Sequence, residues 1–471
     1  LKIEIHISSE ITMSTVIECG LLLEKIKKDL TLTNPVYTNT IKHSKWKGTK
    51  VPPTLEYWRC SEDNSTLYMP RGYLGELTRH LGEAGVQYSL VNETHTCPDV
   101  EINFTGTLKP HQVNAVKDIL ALDTGVLEAP PAAGKTVTAL KVIAERKKPT
   151  VIIVHNKEMM YQWKARTLTF TDTKDEEIGL IGDGHHSIGS TITIAIINSL
   201  KKCAQEVNEK VGQTIIDEVH RAGSDSYIDT LKAFNTRFML GLSATPYRND
   251  GLTKLIHLYV GPQVHTITAG QLQDEGQIMR ARLVPTFTKF NFEDADKNYP
   301  GCIEALVNTK TRNARIVHGV ISQAEKPGIV LVVSERTEHC ETLQRMLVAR
   351  GIDAKILTGS TPKKRREQVI QALIRGEGKV LVATSQLIGE GFDLKSLSSI
   401  FLTTPIKFDA RIIQYVGRVI RTHDGKETPV VFDYVDLPGV LRASFTARLK
   451  AYRSMGMSIP ERGIAAIMRA R

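Results

Sequence analysis

The sequence predicts an α/β protein with two tandem doubly wound parallel-sheet domains behind a small α+β module, and three observations support this. The chain has 471 residues, which at about 150 per domain corresponds to roughly three domains. From Leu108 onward, uninterrupted apolar runs alternate with helix-length segments, the pattern of strands buried on both faces. That alternation then starts again at Gly328.

Residues 1–12 precede Met13, which opens a plausible reading, so they are taken as an extension without function. Residues 13–103 alternate short β-type runs, Leu55 to Trp58 and Ser65 to Met69, with turn residues, and a helical stretch covers Tyr73 to Ala84. The first parallel sheet is expected to use TVIIVHN (150–156), ITIAIIN (192–198) and QTIIDE (213–218). The second is expected to use GIVLVVS (328–334), DAKIL (353–357), KVLVATS (379–385) and SIFLTT (399–404). Residues 270–300 lack periodicity and are expected to hold the connection. The expected domains are 1–103, 104–284 and 285–440, with a basic tail over 441–471.

Composition narrows the function classes. With 41% hydrophobic and 24% charged residues, this is the balance of a folded chain rather than a disordered one. The net charge of +10 lies entirely beyond residue 100, because residues 1–100 hold 11 basic and 12 acidic side chains, so the later part favours a polyanionic partner. The 6 cysteines are never closer than 37 positions, which excludes a zinc-knuckle spacing or a compact disulfide framework. No run reaches the roughly 18 apolar residues of a membrane span, and the expected location is the cytoplasm.

APPAAGKT (129–136) follows the apolar run Gly125 to Leu127 and precedes a helical segment, the strand, loop and helix context of a phosphate-binding loop. Small residues at Pro131, Ala132, Ala133 and Gly134 let backbone N–H groups turn toward phosphates, and the following helix presents its positive end to the same anion. Lys135 is expected to reach the β- and γ-phosphates of ATP and Thr136 to ligate Mg²⁺. Ala129 stands where the strict GxxxxGK[ST] pattern has its first glycine. Asp217 and Glu218 end a buried strand, where open α/β sheets gather ligands. There Asp217 is expected to hold Mg²⁺, and Glu218 to orient and deprotonate the attacking water.

Taken together, these motifs resemble superfamily 2 helicases and translocases of the DEAH-like kind, spelled DEVH here, over residues 108 to about 435. LKPHQ (108–112) resembles the adenine-reading motif, with Gln112 on the base. VIIVHNKEMMYQW (151–163) and ITIAIINSL (192–200) resemble motifs that touch a nucleic-acid backbone, which implies contacts at His155, Asn156, Asn198 and Ser199. SATPYRNDG (243–251) resembles the coupling motif, whose tail is closest to the XPB-like and phage UvsW-like branch. It implies that Ser243, Ala244 and Thr245, with His220, sense the γ-phosphate.

In the second set, VLVATSQLIGEGFD (380–393) resembles the motif shared by nucleotide and DNA, with Gly391 and Asp393 in place. QYVGRVIR (414–421) resembles QxxGRxxR. Gln414 is then a nucleotide contact. Arg418 and Arg421, three apart, are expected to share a helix face and enter the phosphate site together as arginine fingers. Ser334, Arg336 and Thr384 complete the implied backbone grip. The resemblance implies two RecA-like motor domains that hydrolyse ATP between them and move along or remodel branched or duplex DNA, in repair or recombination, as a monomer working beside other repair or replication proteins.

KHSKWKGTK (42–50) adds a composition suited to a backbone contact at Lys45 and Lys47 with a stacking Trp46, or equally a solvated loop. Residues 442–471 carry seven Arg or Lys against Glu461 alone, which suits either a nucleic-acid path or a solvated helix. YMPRGYLGEL (68–77) looks like a stretch that precedes the motor in phage and bacterial members. The alternatives are the motor subunit of a restriction system and an ATP-dependent RNA helicase. A non-catalytic ATP-gated clamp is disfavoured, because Glu218, Arg418 and Arg421 are all kept.

Overall fold

The computed structural model describes residues 2–15, 20–43, 51–221, 225–245, 251–389, 394–406, 409–423, 425–462 and 464–465. The chain divides into two compact units, residues 1–129 with 134–267 and residues 130–133 with 268–471. Lys45, Trp46, Lys47, Gly391 and Asp393 lie outside the described residues.

The first unit opens with a five-stranded sheet in the order Arg59–Cys60, Thr66–Pro70, Glu10–Ser14, Lys2–Ile7, Gln87–Asn92. Ile3, Ile5 and Ile7 alternate inward along one strand, as do Ile11 and Met13 along the next. They pack on Leu22 and Ile26 of the Gly20–Asp29 helix and on Leu77 and Leu81 of the Leu74–Glu83 helix. The Lys2–Ile7 strand pairs parallel with Gln87–Asn92 along its whole length and antiparallel with Glu10–Ser14. Residues 2–12 are therefore part of the sheet, because without them Gln87–Asn92 loses its partner and the apolar face its middle row.

The stretch at 68–77 has a clear task in this fold. Arg71, buried, donates to the carbonyls of Thr236 and Arg237. Gly72 lies so close to the Lys254–Val260 helix that a Cβ there would stand 2.0 Å from the His257 carbonyl oxygen. Ile228, Leu252, Leu255 and Leu258 join the same apolar cluster as the small sheet, and Lys254 Nζ donates to the Asp29 carbonyl at 2.6 Å. The segment thus docks the N-terminal module on the domain that follows.

That domain holds an eight-stranded sheet in the order His185–His186, Ile178–Gly182, Ile192–Ile196, Thr150–Val154, Gln213–Asp217, Phe238–Ser243, Thr124–Glu128, Gln263–Thr266. All of it is parallel except the first pair. Thr150–Val154 and Gln213–Asp217 are buried at every position, as their apolar runs require.

The second unit contains a six-stranded parallel sheet in the order Arg282–Phe287, Val430–Val435, Leu397–Leu402, Ile329–Ser334, Val380–Thr384, Ala354–Leu357. The expected boundary at 284 falls inside its first strand. Within the expected basic tail, the Gly439–Ser454 helix buries Leu441, Phe445 and Tyr452. Its Arg448 is buried too, bound by Nε and Nη2 to the two oxygens of Asp433 at 2.8 Å each. A lone buried charge is costly, and a fork of donors on a carboxylate is the geometry that offsets the cost. One face of this helix is therefore part of the second unit's core, while Lys450 and Arg453 on it stay exposed.

Two predictions follow from the packing. Gly72→Ala forces the Lys254–Val260 backbone to give way, and an overpacked contact of this kind costs about 1–3 kcal/mol, readable by urea unfolding. His339, enclosed with Ser334 and Asn313, is held down to about 3 by burial and then by Arg312. The unfolded chain takes up this proton below about pH 6.5 while the folded chain does not, so stability falls with acidification, by about 2 kcal/mol between about pH 7 and about pH 5. In His339→Gln that part of the pH dependence disappears from chemical denaturation curves.

Candidate active site

The Thr124–Glu128 strand leads into Ala129, whose N–H donates to the Ser243 carbonyl of the adjacent strand at 2.9 Å. The loop that follows takes left-handed backbone at Ala132 (φ 71°) and Gly134 (φ 77°) before the Lys135–Arg146 helix begins. Such a φ is uncommon for a residue with a Cβ and marks a site where strain is held by its surroundings. Lys135 Nζ folds back onto the Ala129 carbonyl at 2.9 Å. Gln112 is buried behind the loop. Its Oε1 accepts the Lys109 N–H at 2.9 Å, capping the Pro110–Leu120 helix, and its Nε2 donates to the Gly134 carbonyl at 3.4 Å. Here Gln112 braces the phosphate loop.

Asp217 is the last residue of its strand, and Glu218 follows with a left-handed φ of 49°. Asp217 Oδ1 accepts the Glu218 N–H at 2.9 Å, and its Oδ2 accepts the indole N–H of Trp163 at 2.7 Å. Glu218 Oε2 lies 3.3 Å from His220 Nδ1. Burial raises the affinity of both carboxyls for a proton, and Asp217 stays raised because the charge of Glu218 adds to burial. At Glu218 the adjacent His220 imidazole and the Lys135 charge outweigh burial and hold it ionised. An ionised base beside a compensated second carboxyl suits general-base chemistry next to a cation.

The expected coupling residues are brought together with this pair. His220 Nδ1 stands 3.0 Å from Ser243 Oγ, which also accepts the Thr245 N–H at 3.0 Å. Thr245 is buried and its hydroxyl has no hydrogen-bond partner among the described residues. His155, expected to grip nucleic acid, belongs here as well. Burial and then the Arg221 charge hold its imidazole down at about 4, and it interacts electrostatically with Glu218 and His220.

Trp163 is the residue that sequence reasoning quoted without giving it a task. It lies on the Lys157–Phe170 helix, whose N-terminus is capped by Asn156 through the Met159 N–H at 2.9 Å. One rigid helix therefore joins the Asn156 turn to the Asp217 carboxylate. The signal available in the chain was a tryptophan on the inward face of a helix, because a buried indole N–H needs an acceptor. Asn198 and Ser199 lie on the short Ile197–Leu200 turn after a neighbouring strand, with Asn198 exposed.

In the second unit, Gln414 and Arg418 share the half-buried face of the Asp409–Val419 helix, one turn apart, and the buried Tyr415 beside them donates to the Ser385 carbonyl at 2.9 Å. Arg421 does not share that face. The helix ends at Val419, and Arg421 sits in a bridge with Ile278. Of the expected grip residues, Arg336 is exposed at a helix N-terminus, while Ser334 is fully buried, its hydroxyl 3.0 Å from His339 Nδ1. Ser334 thus serves the interior. Thr384 is buried with its hydroxyl unpartnered.

The Trp163 bond can be measured directly. A double-mutant cycle of Trp163→Phe and Asp217→Ala in urea unfolding is expected to give a coupling of about 1.5–3 kcal/mol, the range for a hydrogen bond to a charged group. A coupling near zero removes Trp163 from the site.

Comparisons with known proteins agree with this geometry. Residues 105–248 match the family described as type III restriction enzyme, res subunit, and residues 312–423 match the helicase conserved C-terminal domain, together more than half of the chain. The probable helicase D10 of Escherichia phage T5 is 27% identical over 80% of this chain and 82% of its own length. The DNA 3'-5' translocase XPB2 of Sulfurisphaera tokodaii is 26% identical over 67% and 79%. Among solved structures, S. cerevisiae Dbp5 bound to RNA and ADP BeF3 superposes with a TM-score of 0.51 at 14% identity over 74% of this chain and 89% of its own. The Pyrococcus furiosus Hef helicase domain superposes at 0.50 with 14% identity over 72% and 98%. With two RecA-like sheets and the motif residues gathered at their strand ends, the chain belongs to the superfamily 2 helicases, alongside the XPB and phage helicases.

Proposed function

We propose that this helicase hydrolyses Mg²⁺-ATP and uses the energy to translocate on and remodel DNA. The observation that carries the reading is the assembly at adjacent strand ends of Lys135, the Asp217–Glu218 pair and the His220–Ser243–Thr245 relay. In this arrangement an ionised carboxylate stands beside a group able to report on the phosphate.

Mg²⁺ fits the donors available. Thr136 and Asp217 offer hard oxygen ligands, and among the described residues no group of three His, Cys, Asp or Glu side chains is gathered to cage a metal. A cation bound by one carboxylate, one hydroxyl and substrate phosphates matches the preference of Mg²⁺. When bound, it would neutralise charge building up on the phosphoryl oxygens. Lys135 would hold the β- and γ-phosphates, Glu218 would take the proton of the attacking water, and the Ser243 hydroxyl would pass the loss of the γ-phosphate from His220 to Thr245. Arg418 and Arg421 would complete the site from the second unit. Hydrolysis in this scheme alternates a tight and a loose state of the two motor domains, and with backbone grips divided between them each cycle advances the chain along DNA.

DNA is favoured because the Sulfurisphaera tokodaii relative is named a DNA 3'-5' translocase and a Haloarcula marismortui relative a putative DNA 3'-5' helicase, and the same names support 3'-5' movement here. The RNA reading keeps one observation in its favour. A mimivirus relative, 26% identical over 72% of this chain, is named a putative ATP-dependent RNA helicase. The positive charge beyond residue 100 suits either backbone.

The test is ATPase turnover with single-stranded, duplex, forked and four-way DNA and with RNA. Stimulation by DNA but not RNA is expected, strongest on branched forms, and equal stimulation by both overturns the DNA assignment. Lys135→Ala is expected to lower turnover by about a hundredfold or more while DNA binding stays near the parent's, and Arg418→Ala by about a thousandfold, as for loss of an arginine finger.

A further inference from the structure

At the end of the arginine-bearing helix the carbonyls of Val419, Ile420 and Arg421 are all taken up, two of them by one side chain. Lys426 Nζ donates to Val419 O at 2.5 Å, to Arg421 O at 2.7 Å and to Lys395 O at 3.2 Å. Between the first two, Ile420 O accepts the Met279 N–H at 2.7 Å. Helix C-termini leave their last carbonyls without intrahelical donors and carry the negative end of the macrodipole. An ammonium, with three donors and no acceptor, complements that end in both charge and number. Gly425, with φ 72°, is the turn just ahead of Lys426. The lysine is largely enclosed, and burial together with the Arg421 charge holds its ammonium down to about 8.

The three carbonyls belong to separate parts of the motif set. Val419 follows Arg418, Arg421 is the second arginine itself, and Lys395 lies two residues beyond Asp393. One half-buried ammonium therefore ties the backbone behind Arg418 and the backbone of Arg421 to the chain leaving the Gly391–Asp393 motif.

We infer that Lys426 is the positioning residue of the arginine pair: by clamping the carbonyls of Val419, Arg421 and Lys395 it sets where the two guanidinium groups stand. The inference rests on the proposed role of Arg418 and Arg421 at the γ-phosphate. Lys426 itself reaches no reacting atom. Replacing it with methionine keeps the length of the side chain and leaves three carbonyls without their donor, so the helix end loosens while the remainder of the sheet keeps its contacts.

The test uses the full chain with Lys426→Met, Lys426→Arg and Arg418→Ala, read by DNA-stimulated ATPase and by amide hydrogen exchange of peptides. For Lys426→Met, kcat is expected to fall about tenfold or more with KM for ATP changed by less than about threefold, the pattern of a lost transition-state interaction. Exchange is expected to quicken across residues 416–423 and not across the 329–334 and 380–384 strands. Lys426→Arg, which keeps the charge and the donors, is expected to recover most of kcat. The inference is overturned if Lys426→Met turns over within about twofold of the parent while Arg418→Ala is inactive. It is equally overturned if exchange quickens throughout the sheet and Lys426→Arg restores nothing, since the lysine is then a general stabiliser. If Arg418→Ala itself turns over like the parent, the role proposed for the arginines fails instead, and the exchange pattern still decides whether Lys426 holds the helix end.

Discussion

Two adjacent carboxyl groups buried at one strand end are the constraint around which the first unit is arranged. Asp217 and Glu218 cannot both lose their protons in a low-dielectric setting without compensation. The structure supplies it from four directions: the indole of Trp163, the backbone N–H of Glu218, the imidazole of His220 and the charge of Lys135. Each comes from a different element, so the pair is stable only when the sheet, the phosphate loop and the Lys157–Phe170 helix are assembled together. The same arrangement makes the pair sensitive to a phosphate and a cation, since either alters the balance that holds one carboxyl charged and the other raised.

The second unit treats charge differently. Its buried ion pairs, Arg448 with Asp433 and Arg312 with Asp436, are forked and closed, and they join helices to the end of the Val430–Val435 strand. Forked pairing of this kind makes a rigid scaffold, although Arg312 Nη1 finds no acceptor among the described residues. Lys426 is the exception, because its acceptors are carbonyls rather than a carboxylate, and they border the two arginines. A framework locked by ion pairs thus carries a functional helix whose end is held by one ammonium.

The N-terminal module is joined to the motor by close backbone packing. Gly72 allows the approach to the Lys254–Val260 helix, Arg71 donates to two carbonyls, and four apolar residues of the motor side enter the small sheet's cluster. The docking helix follows Ser243–Thr245 in the chain, so the module rests on the element next to the coupling motif.

Periodicity and motif order were sufficient for much of this. Runs such as TVIIV and QTIID have no polar face to show water, so they could only be buried parallel strands, and the spacing of the glycine-lysine loop and its downstream acids placed both at strand ends of one sheet. What depends on partners distant in the chain could not be read there. The Lys2–Ile7 strand looked dispensable because its parallel partner lies more than 80 residues away. Arg448 looked solvated like its basic neighbours because the carboxylate that meets it is on a neighbouring strand. Arg418 and Arg421 looked like one helix face because nothing in their spacing records that a lysine ends the helix between them. Ser334 differs from its apparent role for the same reason, and the task of Trp163 stayed hidden for it too. Local patterns are set by each residue's neighbours in the chain and survive in the sequence, whereas the direction a polar side chain faces is set by whichever donor or acceptor folding brings to it.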